Sequence, residues 1–90
     1  MQVRWTQPAA EDLRVIRRFI HGDSPKAARR IYQLILERCA MLADFPERGR
    51  VGLEAETREL VFAPLPYIAV YRIRGQVIEI LHIWHGAQDR

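Results

Sequence analysis

The sequence predicts a single α+β domain, ordered β-α-α-β-β-β, in which a helical hairpin packs on one face of a mainly antiparallel four-stranded sheet. Three observations predict this fold: one short extended segment opens the chain, two amphipathic segments of helical period follow, and three apolar segments end it. Helices joined by few residues pack antiparallel, and consecutive strands with short links also pair antiparallel. Ninety residues suit one domain, so we treat residues 1–90 as a unit.

The first strand and the first helix precede residue 24. Val3 and Trp5 share one face of an extended segment that covers residues 2–6. Pro8 then falls in the first turn of a helix, a position that tolerates proline because its missing N–H has no partner there. Apolar residues recur at helical spacing until Gly22, where we expect the helix to end.

The second helix is longer and leads into a loop. Ser24 is suited to cap it, and Pro25 occupies the first helical position. The apolar period continues to about Asp44, where we expect the helix to end. Residues 45–52 are rich in proline, glycine and arginine and are interpreted as a loop.

Three strands are predicted at residues 57–62, 67–73 and 77–84, with a tight hairpin around Gly75 joining the last two. Strict alternation gives the last strand two apolar faces: Val77, Leu81 and Ile83 on one, and Ile78, Ile80 and Trp84 on the other. A strand with two apolar faces is expected in the interior of a sheet, or with its second face covered.

The arginine content and the single cysteine indicate which partners and which kinds of site to expect. Thirteen of the fourteen basic residues are arginine and the net charge is +3. Arginine binds carboxylates and phosphates through two parallel hydrogen bonds, although a GC-rich genome would also enrich arginine. The single Cys39 excludes an internal disulfide and agrees with a cytoplasmic protein, and one cysteine with three histidines makes a zinc site improbable. We expect no metal, no cofactor, no signal peptide and no membrane span.

Four arginines could carry function. Arg50 and Arg58 flank the entry to the sheet and could neutralise a phosphate or a developing negative charge. The alternative for both is a solvated surface position or an ion pair with Glu47, Glu54 or Glu56. Arg72 and Arg74 share one strand face, which predicts either an anionic partner or a pair with Glu79 across the hairpin.

His85 closes the last strand and could act as a general acid or base. The alternative is a structural role in which its ring caps the core. His82, in the middle of the strand, is interpreted as a satisfied interior residue. The sequence shows no phosphate-binding glycine loop and no order of residues typical of a serine or cysteine nucleophile.

Several short motifs recur in order along the chain. They are Trp5-Thr6, Pro25-x-Ala27-Ala28, Leu42-x-x-Phe45-Pro46-x-x-Gly49-Arg50, Thr57-Arg58-Glu59-Leu60, Pro66-Tyr67-Ile68-Ala69-Val70-Tyr71-Arg72 and Ile80-Leu81-His82-Ile83-Trp84-His85-Gly86-Ala87. No single motif is specific, but the ordered set resembles the RelE/ParE superfamily of toxins from type II toxin–antitoxin modules over essentially the whole chain. The resemblance implies a growth inhibitor that stays inert while a co-expressed antitoxin is bound.

The resemblance implies one of two mechanisms. ParE-like members poison DNA gyrase, whereas RelE-like members cut messenger RNA on the ribosome without a metal. The Arg-Glu-Leu strand, the Pro-Tyr strand and the scarcity of lysine favour the ParE-like mechanism. If the chain is a nuclease, the resemblance assigns Arg58 to the transition-state phosphate, His85 to acid–base chemistry and Arg50 to support.

For a protein that acts by contact, the expected antitoxin- or target-binding residues are Arg50, Arg58, Arg72, Arg74 and Trp84. The expected partner is a cognate antitoxin with an acidic, partly disordered tail. That tail is predicted to become ordered in the groove between the sheet and the helices.

Overall fold

A computed structural model of the chain describes residues 1–86. Its elements are β1 (Gln2–Trp5), α1 (Gln7–Asp23), α2 (Pro25–Ala40), a 3₁₀ turn (Met41–Ala43), β2 (Arg50–Val51), β3 (Arg58–Val61), β4 (Tyr67–Arg74) and β5 (Val77–His85). The predicted α+β class and the helical hairpin on one side of the sheet are confirmed.

Both helices begin where the sequence predicts. The Thr6 hydroxyl oxygen accepts from the backbone N–H of Ala9 at 3.4 Å, and the Ser24 hydroxyl oxygen accepts from that of Ala27 at 3.1 Å. Each cap satisfies one N–H that has no partner within its helix. The second helix is shorter than predicted, because α2 ends at Ala40 and a 3₁₀ turn carries the chain to residue 43.

The sheet has five strands rather than the predicted four, in the order β1-β5-β4-β3-β2. β1 runs parallel to β5 and the other neighbours are antiparallel. The strand that the sequence missed is β2, in which Arg50 pairs with Glu59 and Val51 with Arg58. Two residues within a glycine-rich loop have no detectable alternation, so only the pairing identifies them as a strand. The predicted interior position of the last strand is confirmed, since β5 lies between β1 and β4.

A β-bulge in β5 corrects the predicted faces of that strand. Val70 pairs with His82 and Tyr71 with Ile80, so Leu81 is the extra residue. An extra residue reverses the alternation beyond it. Ile83 therefore joins Ile78 and Ile80 in the core, whereas the sequence had placed it with Val77 on the other face.

The helices cover one face of the sheet and enclose the core. Its fully buried side chains include Tyr71, Phe62, Ile35, Leu42, Ile78 and Ile80. We call the opposite face of the sheet, which carries no helix, the open face. Within residues 1–86, neither helix combines the length and hydropathy needed to cross a membrane.

Candidate functional site

The register of the strands places four of the five predicted binding residues on the open face. Residues directly opposite each other on neighbouring strands share a face. One row crosses the sheet from Arg74 to Val77, and the next from Arg72 through Glu79 to Arg4. Two further rows are Arg50-Glu59-Val70-His82 and Val61-Ile68-Trp84. Arg50, Arg72, Arg74 and Trp84 therefore lie on one surface.

The buried carboxylate of Glu79 gathers three arginines on this face. Its side chain is 4% exposed and accepts from Nε of Arg72 at 2.6 Å and from the guanidinium of Arg4. Nη1 of Arg74 lies 4.0 Å away. The predicted cross-hairpin pair with Glu79 is thus present, and Arg4 joins it from β1. Three cations around one carboxylate leave the cluster with a local charge of +2.

Arg50 pairs with an acid that the sequence analysis did not consider. Its guanidinium donates to Oε1 of Glu59 at 3.0 and 3.2 Å, rather than to a glutamate at position 47, 54 or 56. The acid is 4% exposed and lies directly opposite Arg50 on β3. Because β2 was predicted as loop, this cross-strand neighbour was not foreseen.

Arg58 lies on the helix side of the sheet, apart from the other arginines. Nη1 of Arg58 donates to the carbonyl of Gly49 at 2.8 Å and to that of Glu47 at 3.2 Å. Its neighbour on β4 is Tyr71, whose hydroxyl donates to the Pro46 carbonyl at 2.7 Å. Burial raises the pKa of Tyr71, opposed by the hydrogen bond from the Gly49 N–H and by the charge of Arg58. Arg58 thus fastens the loop before β2 to β3.

His85 lies at the far end of the sheet from Arg58. Its ring packs edge-on against Tyr67, with 5.5 Å between the ring centroids. His85 pairs with Tyr67 and Arg58 pairs with Tyr71, on opposite sides of β4. Four residues along β4 and two strand spacings across it separate their Cα atoms by about 16 Å. The register therefore does not make Arg58 and His85 neighbours on the sheet.

A contact that the sequence did not reveal joins α1 to the open face. Oδ2 of Asp12 lies 3.1 Å from Nδ1 of His82 and accepts the backbone N–H of Ile83 at 3.0 Å. The ring of His82 lies over Trp84 at 4.8 Å between centroids, tilted by 31°. Because Asp12 and His82 are 70 positions apart, no local spacing predicts this pair.

The open face is concave beside this contact. A groove of about 750 Å³ runs between the start of α1, the loop before β3 and the strands β4 and β5. Its lining residues are Thr6, Pro8, Leu53, Glu54, Thr57, Glu59, Val70, Leu81, His82 and Trp84. In the part of the chain that the structure describes, no three His, Cys, Asp or Glu side chains are grouped as metal ligands would be.

Similarity to known proteins identifies the family of this chain. Residues 3–90 match the family described as ParE toxin of type II toxin-antitoxin system, parDE. This chain belongs to the ParE toxin family. The protein named "Putative toxin Y4kP" from Sinorhizobium fredii is 42% identical over 88 residues, which cover 98% of this chain and 91% of that protein. Toxin RelE2 from Caulobacter vibrioides is 40% identical over 87 residues, 97% of each chain.

A solved structure supports the fold of this toxin. The chromosomal ParDE toxin–antitoxin system from P. aeruginosa superposes with a TM-score of 0.83 at 30% identity, covering 94% of this chain and 95% of that chain. The predicted membership of the RelE/ParE superfamily is therefore confirmed. The relatives carry both RelE and ParE names, so the cellular target has to be argued from the residues of this toxin.

Proposed function

We propose that this toxin inhibits DNA gyrase by protein contact in the cytoplasm, and that a cognate antitoxin keeps it inert by covering the open face. The observation that carries the proposal is the separation of Arg58 from His85 by two strand spacings and by four residues along β4. A general acid or base must reach the proton that it transfers, within about 3 Å or through one water. Arg58 and His85 are not neighbours on the sheet, so one phosphate would contact both only if the two side chains extended towards each other across β4.

The hydrogen bonds of Arg50 and Arg58 also favour a toxin that acts by binding a protein over one that cleaves RNA. Arg58 donates to two backbone carbonyls and Arg50 to the buried Glu59, so both already serve the fold. Neutralising a transition-state phosphate requires donors that are aimed at it beforehand. Each guanidinium group is thus held in position by the fold, with part of its donors already in use.

The antitoxin proposal rests on the charge of the open face. The cluster around Glu79 has two guanidinium charges more than it has carboxylates, and the side chains of Arg4 and Arg74 are 60% and 66% exposed. Beside it, the groove offers Trp84 and Leu53, which is 74% exposed. A partner with both acidic and apolar residues, such as a disordered tail that orders on binding, complements such a surface.

Expression in cells separates gyrase inhibition from RNA cleavage. We expect induction of the toxin to cause filamentation and a DNA-damage response, and both should persist in His85→Ala. The nuclease alternative instead predicts rapid arrest of protein synthesis with messenger cleavage at codon boundaries. It also predicts that His85→Ala abolishes toxicity, and either observation would overturn the proposal.

Titration with the cognate antitoxin tests the open face. We expect the Arg72→Gln/Arg74→Gln variant to bind it at least about tenfold more weakly, with a smaller dependence on salt, because two interfacial charges are lost. Arg48→Gln is the matched control, since Arg48 is exposed and lies in the loop before β2. Equal affinities for the double variant and the wild type would show that the antitoxin binds elsewhere.

A further inference from the structure

The helical hairpin carries a second arginine-rich surface, separate from the open face of the sheet. Six of the fourteen basic residues, but only Asp23 among the acidic ones, fall between residues 13 and 36. This stretch has a net charge of +5 in a chain of net charge +3, so the remainder of the chain sums to −2. The positive charge is therefore concentrated on the part of the helical hairpin around its turn, because Glu11, Asp12 and Glu37 lie at the other ends of the two helices.

A cavity of about 310 Å³ lies at the turn between α1 and α2. It is lined by Arg17, His21, Pro25, Ala28, Arg29 and Tyr32, and we call it the hairpin cavity. Arg17 and His21 are one turn apart on α1, and Arg29 faces them from α2. Two antiparallel helices thus direct two guanidinium groups and an imidazole to one opening.

These cations differ from those of the open face in having no acid beside them. Within residues 1–86, neither Arg17 nor Arg29 has a carboxylate oxygen within 4.0 Å, and the same holds for Lys26 and Arg30. In contrast, Arg14 and Arg18 on the adjoining face of α1 share Glu11. The nearest acid in sequence, Asp23, is exposed and forms no ion pair with any other residue that the structure describes. Adjacent unpaired cations repel each other, and an anionic partner would relieve that repulsion.

The surface favours duplex DNA over single-stranded RNA as that partner. Recognition of single-stranded RNA uses aromatic faces on which unstacked bases lie. The aromatic ring of this cavity, Tyr32, has its face covered by the guanidinium of Arg17 at 5.0 Å from the ring centroid. The other polar groups of the cavity are hydrogen-bond donors suited to phosphate oxygens. Contacts to phosphates position a protein on a duplex without reading its base sequence.

We propose that the hairpin cavity and the neighbouring Lys26 and Arg30 bind the phosphate backbone of duplex DNA, without sequence preference. The contacts are hydrogen-bonded ion pairs from the guanidinium groups of Arg17 and Arg29 to successive phosphates. This site lies on the helices, away from the open face, and does not depend on which protein the toxin inhibits. It would hold DNA beside the toxin while the open face remains available to a protein.

Fluorescence anisotropy with a labelled 30-base-pair duplex tests the site. We expect the purified toxin to bind with an affinity that falls as salt rises, and to bind duplexes of different sequence equally. The Arg17→Gln/Arg29→Gln variant should bind roughly tenfold more weakly or worse, and its slope of log K against log salt should be smaller by about 2. Arg48→Gln is a control of the same kind, located beyond the other end of α2.

Each other outcome overturns the proposal. Absence of duplex binding at low salt would contradict it. If Arg48→Gln weakened DNA binding as much as the double variant, binding would depend on net charge alone and not on this site. Tighter binding of single-stranded RNA, or of the antitoxin's acidic tail in competition with DNA at this surface, would assign the cavity to another partner. The variant's thermal melting curve establishes that it is folded. Gyrase inhibition is measured separately on the same variant. A loss of DNA binding can therefore be told apart from a loss of the proposed function.

Discussion

Asp12 on α1 and His82 on β5 fasten the helical hairpin to the open face of the sheet. A single carboxylate oxygen lies 3.1 Å from Nδ1 of His82 and accepts the N–H of Ile83 at 3.0 Å. The bulge at Leu81 turns the strand so that this N–H faces the helix. The contact orients the ring of His82 against Trp84, at the edge of the groove.

Asp12→Ala should therefore lower the free energy of unfolding by about 1–3 kcal/mol, because the Ile83 N–H loses its acceptor. Urea denaturation measures the change. Asp44→Ala is the control, since Asp44 is exposed, and we expect it to remain within about 0.5 kcal/mol of wild type. His82→Ala keeps the bond to Ile83, so it should cost less than Asp12→Ala. If His82→Ala lowered the free energy of unfolding as much as Asp12→Ala or more, the His82 ring and not the Ile83 N–H would be the main source of the stabilisation.

Gly49 should not tolerate a side chain. A Cβ placed there would lie 2.7 Å from both the hydroxyl and Cε1 of Tyr71, and 3.0 Å from the Glu59 carbonyl. Gly49→Ala would also displace the Gly49 N–H, which donates to the Tyr71 hydroxyl at 2.9 Å. We expect a loss of stability of about 2 kcal/mol or more, from overpacking together with a broken buried hydrogen bond.

Gly22→Ala is the matched control for that substitution. A Cβ at Gly22 would meet no atom within 4 Å, and the residue lies inside α1. Replacing an exposed helical glycine with alanine raises stability by roughly 0.5–1 kcal/mol. Thermal or urea denaturation of the two variants side by side should give shifts of opposite sign. A Gly49→Ala variant as stable as wild type would contradict the account of this loop.

Much of the fold could be predicted from the sequence because its signals are local. Ser24 is a capping residue directly before Pro25, Pro8 lies in the first turn of α1, and β4 and β5 are apolar segments joined at Gly75. Two features could not be predicted, since neither has a local signal. The strand β2 exists only through its pairing with β3, and the bulge at Leu81 is defined only against β4.

The candidate site was predictable in part for the same reason. The pair between Arg72 and Glu79 follows from the hairpin, which fixes their register. Arg4 reaches the same carboxylate only because β1 runs parallel to β5 from the other end of the chain. Asp12 likewise reaches His82 through the tertiary packing of α1. The contacts of Arg4 and Asp12 therefore depend on long-range packing, for which the sequence has no local pattern.

The carboxylate of Glu79 should contribute strongly to stability, because it holds the arginines of the open face. Glu79→Gln removes the charge that holds Arg4 and Arg72, and leaves three guanidinium groups around a neutral amide. We expect a loss of about 1.5–3 kcal/mol, the range for hydrogen bonds to a charged group, towards the lower end because the arginines are partly exposed. Adding salt to the variant should recover part of the loss by screening the repulsion.

Glu11→Gln serves as the control for Glu79→Gln. It removes a carboxylate that also pairs with two arginines, but the side chain of Glu11 is 53% exposed. Exposed pairs contribute about 0–1 kcal/mol, so denaturation should show little change. If both variants lost the same stability, burial of the Glu79 carboxylate would not be the cause.

Alkaline pH should destabilise the protein through Cys39. Burial raises the pKa of this thiol from 9.0 to about 12. The unfolded chain releases the proton first as pH rises, so stability is intact below pH 9 and falls between pH 9 and about 12. Burial also raises the pKa values of Tyr67 and Tyr71 above 10, which adds to the loss in the upper part of that range.

Urea denaturation from pH 8 to 11 measures this effect, and Cys39→Ala should flatten the lower part of the profile while reducing stability at every pH. At pH 8 the folded protein should react with a thiol reagent only as fast as it opens. Rapid labelling of the native protein at pH 8 would show that Cys39 is accessible.

The most direct test of the proposed mechanism is an assay of purified gyrase with relaxed plasmid and increasing amounts of purified toxin. We expect loss of supercoiling with accumulation of cleaved DNA, equally for wild type and for His85→Ala, and reversal by the antitoxin. Unimpaired gyrase, together with messenger cleavage on ribosomes that His85→Ala abolishes, would contradict it.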